Sequence, residues 1–488
     1  MKTDGMNHQK AALRRMSEQP YFALFMEQGT GKTWTLLADA ERLYASGIID
    51  ALFVVAPKGV HTNWVRREIP AHMDVSNIAR AWRSGAGQKE MKHLEELFIP
   101  RETGEIPPLR VLAMNVDALN TNAGFAFAKR FLNATKAMFV IDESSRIKNP
   151  ATARSKAVHA LRPMVRIARI ATGTPITNAP VDVFNQMEFL HPGLLGTSSY
   201  RAFVAEYAVL LDIRHPMMAA IIKRNPNAAR AQMVAKNADG TPQWRNLDKL
   251  QQLLAPHSFR VLKKDCLDLP DKIYKQVYFD MDSEQQRAYK LMDKEFRVLT
   301  EDGRELPVKA LAALVKLQQI TSGFVMKPNQ EGLMYVSEKN PRLSALMDMT
   351  EDISGKFIVW ARFKEELRAV SAALTAAGLK VVEYHGEVNT KDRELAVDRF
   401  QFGDADVFVG QPQSGGIGLT LTAADTVIYY SNDFNLETRL QSEDRAHRIG
   451  TRNNVVYIDL VAVDTIDEPI ARALQRKANL AATILGDN

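Results

Sequence analysis

A single cysteine, Cys266, stands among 488 residues, which excludes an internal disulfide and any zinc site built from several cysteines. The ten histidines lack the i, i+4 spacing of a helical metal pair. No apolar run approaches membrane-spanning length. The longest, such as Ala51–Ala56 and Phe139–Ile141, have the length of strands. The chain does not open on the basic, apolar, small-residue order of a secretory signal. These absences point to a cytosolic, reducing compartment and to no membrane partner. Neither sign of charge dominates. A net charge of +6 and a pI near 9.1 suit a polyanionic partner and equally suit an enzyme with a neutral surface. With 46% hydrophobic and 25% charged residues the chain is neither disordered nor membrane-like. It carries no long-period repeat, coiled coil or low-complexity tract, and its length exceeds what one core organises, so two or three domains are expected.

What is present alternates between strand and helix. Tyr21–Phe25, Ala51–Ala56, Leu109–Met114, Ala137–Ile141 and Ile167–Ala171 read as strands, with a helix over Trp34–Tyr44. These runs show no polar alternation, so they are buried on both faces, as in a parallel sheet covered by helices. From about Ser198 to Lys264 the pattern turns helical, and a second helical block runs from Ser283 to about Ser322, interrupted at Glu301–Arg304. Strands resume at Lys356–Trp360, Lys380–Tyr384, Asp406–Gly410, Thr426–Tyr430 and Val455–Asp459, before a last helix over about Asp467–Leu485.

Three segments carry chemistry. Met26-Glu27-Gln28-Gly29-Thr30-Gly31-Lys32-Thr33 follows a strand and opens a helix. Its glycines let backbone N–H groups approach phosphates at the positive end of that helix. Lys32 suits the β- and γ-phosphates and the Thr33 hydroxyl a Mg²⁺ ion. Met26 takes the place of the first glycine of the long consensus, so the match is to the short form, and an ordinary strand-to-helix turn is the alternative. Adjacent acids, Asp142 and Glu143, end the apolar run Val140–Ile141, where a carboxylate is costly unless it binds a metal or water. Asp142 fits a Mg²⁺ water shell and Glu143 the base that orients the attacking water; an acidic helix cap is the other reading. In Gln441–Gly450, Arg445 and Arg448 sit three apart on a helical run, facing one way with Gln441 one turn before them. Positive charge from such a pair suits a γ-phosphate in its transition state.

At this point a resemblance is plain. Ala171-Thr-Gly-Thr-Pro-Ile-Thr-Asn178 resembles the coupling motif of superfamily-two helicases. Asp142-Glu-Ser-Ser-Arg-Ile-Lys-Asn149 resembles the Swi/Snf-type Asp-Glu-x-His-Arg-Ile-Lys-Asn. Ala56–Pro57 through Asn63–Trp64 is similar to motif Ia, Ser414–Asp425 to motif V, and Gln441–Gly450 to motif VI, while Tyr384–Glu387 and Arg393–Phe400 also follow the family pattern. The resemblance covers nearly the whole chain. It implies two RecA-like parallel-sheet lobes with helical insertions in an α/β fold: residues 1–197 as the ATP-binding lobe, 198–268 as its helical insertion, 269–345 as linker and helical insertion of the second lobe, and 346–488 as the C-terminal lobe. It implies ATP and Mg²⁺ as cofactors, hydrolysis between the lobes, and movement along duplex DNA without sequence reading, in replication, repair or recombination. A strand-separating or fork-reversing helicase, an RNA-directed motor and a non-hydrolysing clamp are the alternatives.

Residue by residue, the resemblance assigns Glu143, Gln441, Arg445 and Arg448 to catalysis. Gln9, placed just before the first helix, is similar to an adenine-reading glutamine. Gly29, Thr30, Gly31, Lys32, Thr33 and Gly418 would hold the nucleotide, and Thr33 and Asp142 the metal. Pro57, Lys58, Asn115 and Thr420 would line a phosphate track, where contacts position without reading sequence. The cations Lys223, Arg224, Arg230 and Lys236, set against the single acid Asp239, offer further grip on a duplex; a solvated surface segment explains them equally. Two departures stand out. Ser145 occupies the place of the histidine that links hydrolysis to coupling, which puts the efficiency of coupling in doubt, and Phe434 replaces a tryptophan before Asn435. With little chain before Gln9 and after motif VI, a motor without accessory domains is expected, similar to compact bacterial and phage members.

Overall fold

The computed structural model describes the chain apart from residues 84, 86, 100–106, 213, 217, 220–231, 238–239, 301–307, 327–331, 415–418 and 488, and apart from the side chains of 295–300, 308–311 and 390. The chain divides into two compact units, one of Met1–Leu210, Val234–Asp268 and Asn479–Asn488, the other of Leu211–Met233 and Leu269–Ala478. Among the described residues no helix is long and apolar enough to cross a membrane.

The first unit is built on a seven-stranded sheet: β1 (Tyr21–Met26), β2 (Ala51–Ala56), β3 (Asn77–Ala81), β4 (Leu109–Asn115), β5 (Ala137–Asp142), β6 (Ile167–Ala171) and β7 (Ser258–Val261). Their order is β3-β4-β2-β5-β6-β1-β7, and each pairing is parallel. Every residue of β2, β5 and β6 is buried, because alternate side chains enter cores on opposite faces. Phe53, Val55, Phe139 and Ile141 join one core; Leu52, Val54, Met138 and Val140 join the other. The registers Ala56↔Asn115 and Asp142↔Ala171 set the ends of β2, β4, β5 and β6 along one carboxyl edge. Crevices outside that edge are where open parallel sheets bind ligands.

The second unit carries a six-stranded parallel sheet: β8 (Lys272–Phe279), then, beyond the short antiparallel pair β9 (Phe324–Met326) and β10 (Leu333–Tyr335), β11 (Lys356–Trp360), β12 (Val381–Tyr384), β13 (Val407–Gly410), β14 (Ala424–Tyr429) and β15 (Val455–Ala462). The order is β12-β13-β11-β14-β15-β8, and cores again cover both faces.

The two segments read as helical insertions each contain a strand of a main sheet. Residues 198–268 contribute β7 beside β1 and the bridges Ala208↔Trp244, Leu210↔Val234 and Lys236↔Pro242, along with helices Tyr200–Tyr207 and Leu247–Leu254. Residues 269–345 contribute β8, while helices Ser283–Thr300 and Val308–Thr321 fall as expected. Of the strands missing from the sequence reading, β3, β7 and β8 lie at the edges of the two main sheets, and β9 and β10 form the separate short pair. An edge strand needs no continuous apolar run, and β8, Lys-Ile-Tyr-Lys-Gln-Val-Tyr-Phe, exposes most of its residues.

Candidate active site

In the first unit the loop between β1 and α2 (Lys32–Ala45) takes positive φ at Gly29 and Gly31, 82° and 87°. A Cβ on Gly31 would lie 1.8 Å from Gln9 Nε2, so only glycine fits. Thr30 N–H and Oγ1 both donate to the Glu27 carbonyl, at 3.4 and 2.7 Å, which closes the turn. No side chain caps α2, and its first amides and positive end therefore face the loop, as an anion site requires. The buried Lys32 ammonium donates to the carbonyls of Met26 at 3.1 Å and Glu27 at 3.4 Å. Thr33 follows on the same first turn, half-buried.

Gln9 sits inside the first helix, α1 (Asn7–Ser17), and not before it. Its Oε1 accepts from Met6 N–H at 2.8 Å, which ends the orphan amide at the helix start, and its Nε2 donates to the Thr30 carbonyl at 3.3 Å. His8 Nε2 lies 2.7 Å from the same carbonyl. The glutamine therefore braces the loop directly.

Asp142 ends β5, buried, and both of its oxygens are engaged: Oδ2 accepts from the Trp64 indole N–H at 2.9 Å and Oδ1 from Glu143 N–H at 3.1 Å. Burial pushes its carboxyl up, against the Trp64 hydrogen bond and the Lys32 charge, which pull it down. Glu143 adopts left-handed backbone, φ 55°, a conformation costly for a non-glycine residue and frequent at functional sites. Its Oε2 accepts from the Thr172 hydroxyl at 3.1 Å. One carboxylate and one hydroxyl suit Mg²⁺, which takes few protein ligands and leaves the remainder to phosphate and water. Among the described residues no cluster of three or more acids, histidines or cysteines offers an all-protein metal cage.

Further residues that the sequence reading missed hold this edge together. Buried Gln186 accepts from Ser144 Oγ at 2.7 Å and donates to the carbonyls of Pro175 at 2.8 Å and Asp182 at 2.7 Å. Arg260 on β7 donates to the carbonyls of Phe25 at 2.9 Å and Gly173 at 3.3 Å. Lys263 is buried, its N–H donates to Glu27 Oε2 at 2.7 Å, and its Cε lies 3.6 Å from where a Gly29 Cβ would stand. Nothing local in the sequence ties residues 260–263 to a loop more than 230 positions earlier; the pairing of β7 with β1 does.

Of the residues assigned to nucleic acid, Pro57, Lys58 and Asn115 meet at the ends of β2 and β4, with Lys58 exposed. Asn115 Oδ1 accepts from Asp117 N–H at 3.1 Å. Lys236 is exposed and bridged to Pro242. Lys223, Arg224, Arg230 and Gly418 lie outside the described residues.

In the second unit the helix Leu436–Ala446 ends before Arg448, with His447 as its cap. The arginines therefore do not share a helical face: Arg445 is in the last turn and Arg448 beyond it. The buried Arg445 contributes its carbonyl to Leu421 N–H at 2.9 Å. Arg448 Nη1 donates to the Leu419 carbonyl at 3.4 Å and to Thr420 Oγ1 at 3.2 Å, so the hydroxyl assigned to nucleic acid holds an arginine here. Gln441 Nε2 donates to Glu437 at 3.3 Å. Beneath the helix lies a buried ionic network. Glu443 accepts from Arg439 Nε at 2.8 Å, Lys272 Nζ at 3.2 Å and the Tyr274 hydroxyl at 2.8 Å. Arg439 also pairs with Asp459 and stands 3.5 Å over the Tyr429 ring. Burial alone would raise the Glu443 carboxyl, but Lys272 and Arg439 outweigh it and hold it below the usual range.

Comparison with known proteins gives a consistent result. The family model described as SNF2-related domain matches residues 8–324, and the one described as helicase conserved C-terminal domain matches residues 338–450. The chain is similar to the TATA-binding protein-associated factor MOT1 of Saccharomyces cerevisiae, 28% identical over 406 residues, which are 72% of this chain and 21% of that protein. It is also similar to the CHD3-type chromatin-remodeling factor PICKLE of Arabidopsis thaliana, 24% identical over 96% of this chain and 33% of that protein. The putative ATP-dependent helicase/translocase YwqA of Bacillus subtilis is 24% identical over 94% of this chain and 46% of that protein. The chain thus spans between 21% and 46% of the length of these relatives. Among solved structures, the Sulfolobus solfataricus SWI2/SNF2 ATPase core in complex with dsDNA matches 100% of this chain and 94% of that one at 22% identity and a TM-score of 0.41.

Proposed function

The chain belongs to the SNF2-related family of helicase-like ATPases, and from that membership we propose that it is an ATP-driven motor that moves along duplex DNA without reading sequence, in replication, repair or recombination. The observation that carries the ATPase reading is the Thr172–Glu143 hydrogen bond at 3.1 Å. It joins the acid pair to the coupling segment on the same sheet edge as the phosphate loop.

When bound, ATP would supply the phosphoryl group transferred to water, and Mg²⁺ positive charge at its phosphates. The amides of residues 29–33 and the Lys32 ammonium would hold the phosphates, and Thr33 and Asp142 the metal. Glu143 orients the attacking water and takes its proton. Thr172 fixes the carboxylate that does so, and Gln186 ties the neighbouring Ser144 to the Pro175 carbonyl, so a change at the acids reaches the coupling segment. Arg445 and Arg448 supply positive charge to the transition state. Pro57, Lys58 and Asn115 bind backbone phosphates, with Thr420 and the cations Lys223, Arg224, Arg230 and Lys236 as further contacts.

Phosphate release measured across single-stranded, duplex and forked DNA and RNA tests this reading. Duplex should stimulate most, and triplex displacement should follow. Glu143→Gln protein should bind ATP and release no phosphate. Near-parental turnover by folded Glu143→Gln protein removes the catalytic assignment. Forked-duplex unwinding without triplex displacement replaces translocation by strand separation.

A further inference from the structure

The hydrogen bond from Trp64 to Asp142 joins two parts of the first unit to which the proposed function gives different tasks. Trp64 and Asp142 are 78 positions apart in the chain, and the indole N–H stands 2.9 Å from Oδ2. Only 1% of Trp64 is exposed, so water cannot take over the bond. Since Glu143 N–H occupies Oδ1, these two donors fix the carboxylate's orientation. The sheet does not do so alone. It brings β2 beside β5, with Val55 opposite Ile141, but leaves the Asp142 side chain free to rotate.

From Trp64 the chain runs back to the exposed Lys58 through few, tightly bonded residues. Gly59 turns the backbone at φ 88°. Thr62 Oγ1 donates to its carbonyl at 2.7 Å and Asn63 N–H at 3.2 Å, and His61 N–H donates to the Pro57 carbonyl at 3.3 Å. The following turn, Trp64–Glu68, is π-helical, with Ile69 N–H donating to the Trp64 carbonyl five residues back. Such turns are rare and occur mostly at functional sites. These bonds, with Trp64 N–H donating to the Val60 carbonyl, connect the Pro57–Lys58 turn to the indole through consecutive short turns.

We propose that Trp64 is a positioning residue through which the Pro57–Lys58 turn and the Asp142 carboxylate are energetically coupled. A nucleic-acid phosphate on the turn and a magnesium nucleotide at the carboxylate each change the other's affinity by one common factor, as linkage demands. The inference rests on the proposed function, which places phosphate at the one and metal at the other.

The test measures binding of a fluorescein-labelled DNA duplex with and without magnesium AMP-PNP, in the parent and in Trp64→Phe protein. A variant carrying benzothienylalanine at position 64 serves as the second probe, since it keeps the bicyclic ring and loses only the N–H. The parent should show a coupling factor of roughly 5 to 150, the usual range for linked sites. Both variants should bring it within about twofold of unity and raise the Mg²⁺ concentration for half-maximal nucleotide binding about tenfold, the scale of lost outer-shell support for a metal ligand. A merely structural tryptophan predicts something else, namely lower melting temperature and weaker duplex binding in both nucleotide states with the factor unchanged; that result overturns the coupling. If the parent binds no duplex, the proposed function falls and takes this inference with it. If the parent binds duplex and shows a factor that the benzothienyl variant retains, the inference alone falls.

Discussion

Thr172→Val isolates the contact on which the catalytic reading turns. Valine keeps the volume and the β-branch, and the Thr172 N–H bond to the Leu24 carbonyl at 3.1 Å holds the backbone in place. Two things are lost. The hydroxyl no longer donates to Glu143 Oε2 at 3.1 Å, and it no longer accepts from Thr174 N–H at 3.2 Å. A hydrogen bond to a charged group is worth about 1.5–3 kcal/mol. If Glu143 needs that bond to face the water, turnover falls by roughly ten- to a hundredfold, since 1.4 kcal/mol is about a factor of ten. ATP affinity should stay within about twofold, because the lost bond acts on the orientation of the Glu143 carboxylate and not on the groups that hold the phosphates. Leaving Thr174 N–H buried without its partner costs about 1–3 kcal/mol of stability, so the assay must be run well below the melting transition. Steady-state phosphate release at saturating duplex, together with fluorescent-nucleotide binding, separates the two effects, and Thr172→Ser should restore most of the rate. Folded Thr172→Val protein turning over at more than half the parental rate refutes the role given to this bond.

Arg448→Ala should lower turnover strongly, toward the roughly 10³–10⁵ that an arginine finger contributes where measured, with a much smaller loss of ATP affinity; a change below about tenfold (roughly 1.4 kcal/mol) removes it from the transition state. The buried Arg169–Asp39 pair, 3.0 Å apart, joins β6 to α2 behind the phosphate loop. Asp39→Leu alone should destabilise by about 3–5 kcal/mol, because it strands a buried charge, while Asp39→Leu with Arg169→Met should cost much less by urea unfolding. Glu443 titrates below its ordinary value in the folded protein, so its stabilisation is complete above the unfolded carboxylate value near ~4.3 and is lost as pH falls through the folded one. The gap in urea midpoint between parent and Glu443→Gln should therefore be widest near pH 7 and close in acid; a gap that widens below pH 4 has the wrong sign. Replacing exposed Lys58 by alanine should lower the slope of log duplex affinity against log salt by about one unit, and an unchanged slope means that Lys58 touches no phosphate. Replacing Arg224, Arg230 and Lys236 together tests the insertion in the same way.

The central strands and the chemical segments were legible in the sequence for one physical reason: both are local patterns. A strand buried on both faces must be apolar throughout, as Ala51–Ala56 is, and a phosphate loop must place glycines and a lysine within a few residues of each other. Three of the four edge strands of the main sheets were not legible. β3, β7 and β8 bury less of their surface and mix apolar with charged or polar residues, and β1 and the loop after it gain Arg260 and Lys263 as neighbours only because β7 pairs beside β1. The helical reading of Gln441–Gly450 failed at its end for a related reason. The last turn stops at Ala446, and the Arg448 guanidinium is held by Leu419 and Thr420, contacts that no helical periodicity predicts.

The serine at position 145 shows how these two kinds of information combine. Read as a string, Ser145 in place of the family's histidine leaves the link between hydrolysis and coupling in doubt. In the fold that link has two other strands. Thr172 reaches Glu143 directly, and Ser144 reaches the Pro175 carbonyl through the Gln186 amide. Gln186 is fully buried, and its Oε1 and its Nε2 hydrogens are engaged, so its orientation is fixed. A serine at 145 is therefore compatible with coupling in this chain provided that Gln186 carries part of the load. Gln186→Leu, close in volume but without the amide, should then lower duplex-stimulated turnover while leaving the unstimulated rate within about twofold. Equal loss of both rates would mean that the glutamine only holds the acids in place, and the doubt raised by Ser145 would stand.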